Sequence, residues 1–328
     1  MINLCNTPVV LITYNRPWHT QQVLNSLRNN HIQNLIIYSD SPKNQSDEQN
    51  VYKTRQILKE IKWTNPVLVF RPNNYGLAKS IVSAVNEVFK KYNQLILLED
   101  DCVPMDGFFD YMIKCLNKYE SYDKIFGING FTVPTDKDKT INYKYDIYFY
   151  PRIGSWGWAT WKRAWKFLET DLQKAYNMCQ LNNIDITIGG KDIPNQVNRL
   201  LNGELKDVWT LNWVLSVYNQ RGVYIYPIKS LIDNIGCDGT GVHYKNKSVE
   251  FEENRQYQPD LLSNSFKVEN LPDQIELNDF LINNYNKIFG GPIINNENMK
   301  QYFLKNNEQL NIAHINTQDF WGGAAKVA

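Results

Sequence analysis

Leu95-Ile96-Leu97-Leu98-Glu99-Asp100-Asp101 is the stretch on which the reading of this chain turns. An aliphatic run without polar alternation suits a strand buried on both faces. It ends in three consecutive carboxylates, which repel one another at the end of a buried strand unless a cation or hydrogen bonds relieve them. A solvated acidic turn opening the next helix would carry the same triplet. Position in the sheet distinguishes the two, so the rest of the chain has to be read first.

Three more runs of the same kind precede it, at 8–13 (PVVLIT), 34–38 (NLIIY) and 66–70 (PVLVF). Between them the spacing turns helical. Leu77, Ile81, Val85 and Val88 fall on one stripe that Val82 and Phe89 widen, and Pro17 suits a first helical turn. Strand–helix alternation predicts an α/β fold, with a mostly parallel sheet flanked by helices on both faces. In such sheets ligands bind beyond the carboxyl ends of the strands. Thr13-Tyr14-Asn15-Arg16-Pro17 follows the first run, with one cation. Ser39-Asp40-Ser41 follows the second, its carboxylate suited to a base or ribose. Asn73-Asn74-Tyr75-Gly76-Leu77-Ala78-Lys79 follows the third, where Gly76 permits close backbone approach and Lys79 suits a phosphate. Each turn alone is ordinary. With the acidic triplet, four polar turns share one sheet edge, which favours a divalent ion, Mn²⁺ or Mg²⁺, shared between carboxylate and phosphate oxygens.

Bulk composition narrows the partners. A net charge of +1 over 328 residues gives no field for nucleic acid, so an anionic ligand needs a local site. Five scattered cysteines without CxxC spacing exclude a zinc ribbon and a disulfide scaffold, and fit a reducing compartment. No apolar run approaches the roughly 20 residues of a membrane helix, and no leader pattern opens the sequence. The expectation is a cytoplasmic protein without a transmembrane segment, with peripheral attachment at the membrane left open. Aromatics reach 13%, which permits a carbohydrate ligand without requiring one.

Beyond 105 the pattern predicts a helix at 106–119, a strand at 125–130, a polar loop at 134–146, an aromatic block at 148–167, a helical region at 192–220 and a strand at 222–227. From about 250 the text is polar and Asn-rich, with one apolar segment at 280–289. The expected division is a strand–helix half at 1–105, a second half of the same domain at 106–250, and a C-terminal extension at 251–328.

TYNRP, YSDS, NYGLAKS and LILLEDDCVPMDGFFDYM together resemble the GT-A glycosyltransferases, whose sheet is Rossmann-like. The resemblance is closest to family-2-like bacterial sugar transferases and more distant to N-acetylglucosaminyltransferase I. Arg152-Ile153-Gly154-Ser155-Trp156-Gly157-Trp158-Ala159-Thr160-Trp161 looks like the GSWGWATW segment of the bacterial enzymes, so the likeness spans roughly 8–245. It implies that Asp101 ligates the metal holding a donor diphosphate, that Asp100 and Glu99 contact ribose and sugar, and that Thr13, Asn15, Arg16, Asp40 and Lys79 serve the nucleotide. A UDP-sugar is the favoured donor and a glycan or glycoconjugate the acceptor. Glycines between tryptophans let the backbone lie flat while indoles wall a sugar pocket. Trp156 and Trp158 fit that wall or a packed core, and Trp161 and Trp165 fit the core better.

An inverting transferase also needs a general base within reach of the acceptor hydroxyl. Asp207, in Asp207-Val208-Trp209-Thr210, is the candidate, against the simpler role of a helix N-cap. Some relatives carry a further Asp where this chain has Thr210. The segment Asp233-Asn234-Ile235-Gly236-Cys237-Asp238-Gly239-Thr240-Gly241-Val242-His243 resembles a glycine-rich loop of the relatives. It is expected to close over the diphosphate, with Gly239 and His243 at the donor, or else to be a hairpin with a surface histidine. The resulting reading is a metal-dependent, inverting glycosyltransferase of surface polysaccharide or glycoconjugate synthesis. A sugar-nucleotide nucleotidyltransferase is the alternative enzyme, though TYNRP lacks the glycines of a triphosphate loop. A non-catalytic glycan-binding module is the alternative without chemistry.

Overall fold

The computed structural model describes residues 7–133, 143–238, 267–275, 278, 281–283 and 302. The expected alternation opens the chain: β1 (Val9–Thr13), α1 (Pro17–Asn29), β2 (Leu35–Ser39), α2 (Glu48–Lys59), β3 (Val67–Phe70), α3 (Leu77–Val88) and β4 (Gln94–Glu99). Pro17 is the first residue of α1, where its missing N–H costs nothing. On α3 the predicted stripe is buried at Ile81, Val85 and Val88, with Ala84 between them. Each such aliphatic side chain contributes about 1.5–3 kcal/mol when fully buried.

After β4 the chain adds β5 (Cys102–Pro104), α4 (Phe108–Lys118), β6 (Ile125–Asn129), β7 (Ile147–Tyr150), β8 (Trp158–Trp161), the short α5 (Lys162–Trp165), α6 (Leu172–Leu181), α7 (Asp192–Leu201), α8 (Thr210–Asn219), β9 (Val223–Pro227) and β10 (Ile232–Asn234). One sheet of eight strands runs β3-β2-β1-β4-β8-β6-β9-β7, and β10 pairs with β5 in a two-stranded ribbon. The β3-β2-β1-β4 half is parallel, as the sequence predicts. In the other half β8 is antiparallel to both β4 and β6, and β7 to β9. The aromatic block therefore contributes two strands that its composition concealed.

Register assembles the site. Thr13 pairs with Ser39, Ser39 with Phe70, and Ile12 with Glu99, so the turns after all four parallel strands open on one edge. Because β8 runs antiparallel to β4, with Trp158 opposite Leu97, the Ser155-Trp156-Gly157 segment before it reaches that edge too. β10 pairs Asn234 with Cys102 and returns the chain to the acidic triplet.

Of the two roles open to Trp158 the core holds it: the ring is fully buried, with centroids 4.9 Å from Trp209 and 5.9 Å from Trp165, alongside Trp161 and Trp213. The helical region at 192–220 is two helices, broken at 202–209 where Gly203 and Asp207 take positive φ values of 77° and 62°.

Part of the extension is bound to this sheet-bearing body. Lys114 Nζ donates to the Val268 carbonyl at 2.8 Å, Tyr119 Oη to Pro272 at 2.7 Å, and the amides of Glu269 and Asn270 to Asp146 Oδ2 at 2.7 Å each. Cys102, Cys115 and Cys179 are buried free thiols.

Candidate active site

The triplet is built around Arg16. As the residue before the first turn of α1, Arg16 projects its guanidinium between two carboxylates, with Nη2 on Asp100 Oδ1 and 2.8 Å from Asp101 Oδ2. Burial alone would lower the guanidinium pKa. Asp100 and Asp101 outweigh it and hold the charge above the ordinary arginine value. Asp100 Oδ2 also accepts the Tyr14 amide at 3.2 Å, which fixes the turn after β1 to the end of β4. Glu99 keeps an accessible edge, yet its carboxyl is pushed up to about 8, first by burial and then by Asp101 and Asp100. One guanidinium thus faces three acidic groups, and burial pushes Asp100 up as well, with Arg16 and the Tyr14 amide opposing it.

Asp101 is the carboxylate placed for a cation. Its backbone carbonyl accepts the Ile235 amide at 2.9 Å, so β10 delivers Gly236 onto its side chain. A Cβ at Gly236 would press on the Asp101 carboxylate and come within 3.0 Å of Arg16 Nη1. Among the described residues no group of three His, Cys, Asp or Glu side chains forms a ligand cage. As a donor set the triplet fits a hard cation through Asp101, since both Asp100 oxygens are already held by Arg16 and the Tyr14 amide.

The remaining predicted residues divide. Thr13 is buried at the strand end, its hydroxyl donating to the Tyr38 carbonyl at 3.2 Å and its own carbonyl accepting the Asp40 amide at 3.0 Å. Asn15 Nδ2 donates to Asp47 Oδ1 and Tyr14 Oη to Asp47 Oδ2, each at 2.8 Å, so Asn15 braces the nucleotide-side turn against Asp47. Asp40 is buried and directs its carboxylate into the loop after β3. Oδ1 accepts from Ser41 N and Tyr75 N, both at 2.9 Å, and Oδ2 accepts from Gly76 N at 3.0 Å. It orders that loop and has little left to offer a base. Lys79 is exposed, its ammonium 4.2 Å from the Tyr75 ring centre, while Arg71 lies 5.0 Å from the same ring. Trp156 is half-buried, its ring centre 4.5 Å from that of Phe131 in an edge-to-face contact. The turn from Trp156 into β8 requires Gly157, whose φ is 63°.

Asp207, the candidate base, has its carboxylate engaged by another helix. It does not cap its own helix, α8, whose N-cap is Trp209 without a side-chain bond. Instead its Oδ2 accepts the Leu77 amide and its Oδ1 the Ala78 amide, both at 2.7 Å, at the first turn of α3. Gly239 and His243 lie outside the described residues, as does most of the glycine-rich segment. Its leading Asp238 is described, with Oδ2 3.2 Å from His19 Nε2 on α1. Sequence reading passed over His19 because a histidine inside an amphipathic helix gives no signal of its own. It also passed over the clamp of Arg152 on Asp192, with Nη1 to Oδ1 at 2.7 Å and Nη2 to Oδ2 at 2.8 Å, which ties the Trp156 segment to α7.

The sequence matches the family model described as glycosyl transferase family 2 over residues 9–182, more than half of the chain. The chain belongs to glycosyl transferase family 2. The matched span of this family 2 transferase holds the four strand-end turns, the acidic triplet and the Trp156 segment, and stops before Asp207. Membership makes glycosyl transfer its activity class. Two solved structures resemble it distantly, each with a TM-score of 0.35. One is the mannosyltransferase PcManGT from Pyrobaculum calidifontis in complex with GDP-Man and Mn²⁺, at 9% identity over 66% of this chain and 74% of that one. The other is a cytidylyltransferase from Leptospira borgpetersenii serovar Hardjo-bovis, at 10% identity over 80% of this chain and 99% of that one. Scores this low bear on neither substrate nor mechanism. No curated protein matches the chain. Among the described residues no helix of the transferase is long and apolar enough to cross a membrane.

Proposed function

We propose that this transferase moves a hexosyl or N-acetylhexosaminyl group from a nucleotide-diphosphate sugar, with a UDP-sugar favoured, to a hydroxyl of a glycan or glycoconjugate. The reaction inverts the anomeric centre and serves surface polysaccharide or glycoconjugate synthesis. The observation that carries this reading is the undercompensated triplet Glu99-Asp100-Asp101, bridged by Arg16 at the strand edge and covered by Gly236. A bound divalent ion supplies charge neutralisation for the departing diphosphate. Asp101 would hold it.

The chain's own groups do the rest. Arg16 bridges and orients Asp100 and Asp101, and the Tyr14 amide locks the first turn against Asp100. Thr13, Asn15, Asp40 and Lys79 shape the nucleotide side, with Asp40 acting through the loop it orders. Trp156 offers the accessible aromatic face beside the reacting sugar. The acceptor oxygen bonds to the anomeric carbon as the bond to the diphosphate breaks, and the hydroxyl proton passes to a base at the cleft.

Titration calorimetry with a panel of nucleotide sugars, in Mn²⁺ and in chelator, on the wild-type protein and on Asp101→Ala, tests this. The expected result is binding of one donor that needs metal and disappears in the variant. Absence of nucleotide binding under every metal condition would overturn it.

A further inference from the structure

Four consecutive amides, those of Tyr75, Gly76, Leu77 and Ala78, are shared between two carboxylates from distant parts of the chain. Asp40 takes the first pair and Asp207 the second. Asp40 is buried at the end of β2, on the nucleotide side. Asp207 is exposed and arrives from the 202–209 segment between α7 and α8. Its own φ of 62° is what turns the side chain back toward α3. The space it fills is cut out of the loop: a Cβ on Gly76 would stand 2.7 Å from Asp207 Oδ2 and 3.0 Å from Oδ1. Its negative charge also meets the positive end of α3, a helix of 12 residues.

We propose that Asp207 is a positioning residue, a clasp that fastens the 202–209 segment to the loop ordered by Asp40, and that it is not the general base. α3, rather than an acceptor hydroxyl, dictates where this carboxylate points. Through the clasp, the 202–209 segment and the loop after β3 move together. Loss of the clasp loosens donor binding and leaves the chemical step largely intact. The kinetic half of this inference rests on the transferase reading; the clasp does not.

Two substitutions separate clasp from base. Asp207→Asn tolerates a positive φ and retains one acceptor oxygen, and Asp207→Gly keeps the backbone and removes the side chain. The first measurement is amide hydrogen exchange at Leu77 and Ala78 without any ligand. Protection at these two amides is expected to fall about tenfold in the Asn variant and further in the Gly variant, while the β1 and β4 amides are unchanged. The second is binding of UDP and of GDP, each with Mn²⁺, followed by steady-state kinetics with the donor that turns over. The Kd and donor KM are expected to rise in the same graded order, with kcat within about threefold of wild type and an unshifted pH profile. Equal losses of about a thousandfold in kcat for both variants, with the limb of a base removed from the pH profile, would overturn the proposal. So would unchanged protection at Leu77 and Ala78. Because exchange needs no substrate, it judges the clasp even if no nucleotide binds and the transferase reading falls.

Discussion

Gly76→Ala strikes the junction of the two carboxylates, and its cost can be worked from the geometry. Gly76 has φ 73° and ψ 172°, a region open in practice only to glycine, so a side chain there costs about 1–3 kcal/mol in the backbone alone. The new Cβ would lie 2.7 Å from Asp207 Oδ2 and 3.0 Å from Oδ1, well inside van der Waals contact. Asp207 must retreat, and its two 2.7 Å bonds to Leu77 and Ala78 break. A bond to a charged acceptor contributes about 1.5–3 kcal/mol. Solvent replaces part of it at this exposed position, leaving about 1 kcal/mol each. The sum is about 4 kcal/mol, and at about 2–4 °C per kcal/mol the melting temperature should fall by about 8–16 °C. Urea unfolding followed by the fluorescence of the buried tryptophans measures it. In an Asp207→Gly background the same substitution should cost only its backbone share, about 2 kcal/mol, so the cycle should show a coupling of about 2 kcal/mol. Additive costs, to within about 0.5 kcal/mol, would show that the carboxylate and Gly76 do not meet in solution and would refute the reasoning.

Glu99 predicts a pH dependence. Its folded value of about 8 lies above the ordinary 4.5, so the folded state holds a proton that the unfolded chain releases. This contribution is fully present below about pH 4.5 and is lost as pH rises to about 8. Urea midpoints should fall between about pH 5 and about 8, and Glu99→Gln should flatten that slope; an unchanged slope would count against the assignment. Arg16→Gln removes the sole guanidinium between Asp100 and Asp101, so stability should fall by about 3 kcal/mol and Mn²⁺ should restore part of it. Differential scanning calorimetry with and without the ion reads both effects. Trp158→Ala should destabilise by about 3–5 kcal/mol as a core substitution, visible in the unfolding midpoint. Trp156→Ala should instead raise a substrate KM with little change in stability, and steady-state kinetics on the pair would expose a reversed pattern.

Much of this molecule was legible in order along the chain, and the reason is local. Strands β1, β2 and β4 announce themselves as buried aliphatic runs and α3 by its stripe of Ile81, Val85 and Val88. The run of β3 instead lies on the sheet edge, half-buried with Val67 exposed, rather than buried on both faces. Glu99, Asp100 and Asp101 could be assigned to a ligand-bearing edge because a turn directly after a parallel strand always emerges there. Arg16 and Asp40 were placed at that edge by the same rule.

What each side chain does once there was decided only by contacts between distant segments. Asp207 and Leu77 are 130 positions apart, and nothing near Asp207 in the chain names α3 as its partner. Trp156 and Trp158 look alike in sequence, yet the positive φ of Gly157 breaks the extended chain between them, so Trp158 packs on Trp209 in the core while half-buried Trp156 lies against Phe131. Asp40 has the composition of a nucleotide contact, but the amides of a loop more than thirty residues later take its oxygens. Sequence fixes which groups arrive at an edge, because adjacency and periodicity are local; hydrogen-bond partners and burial are properties of the assembled chain.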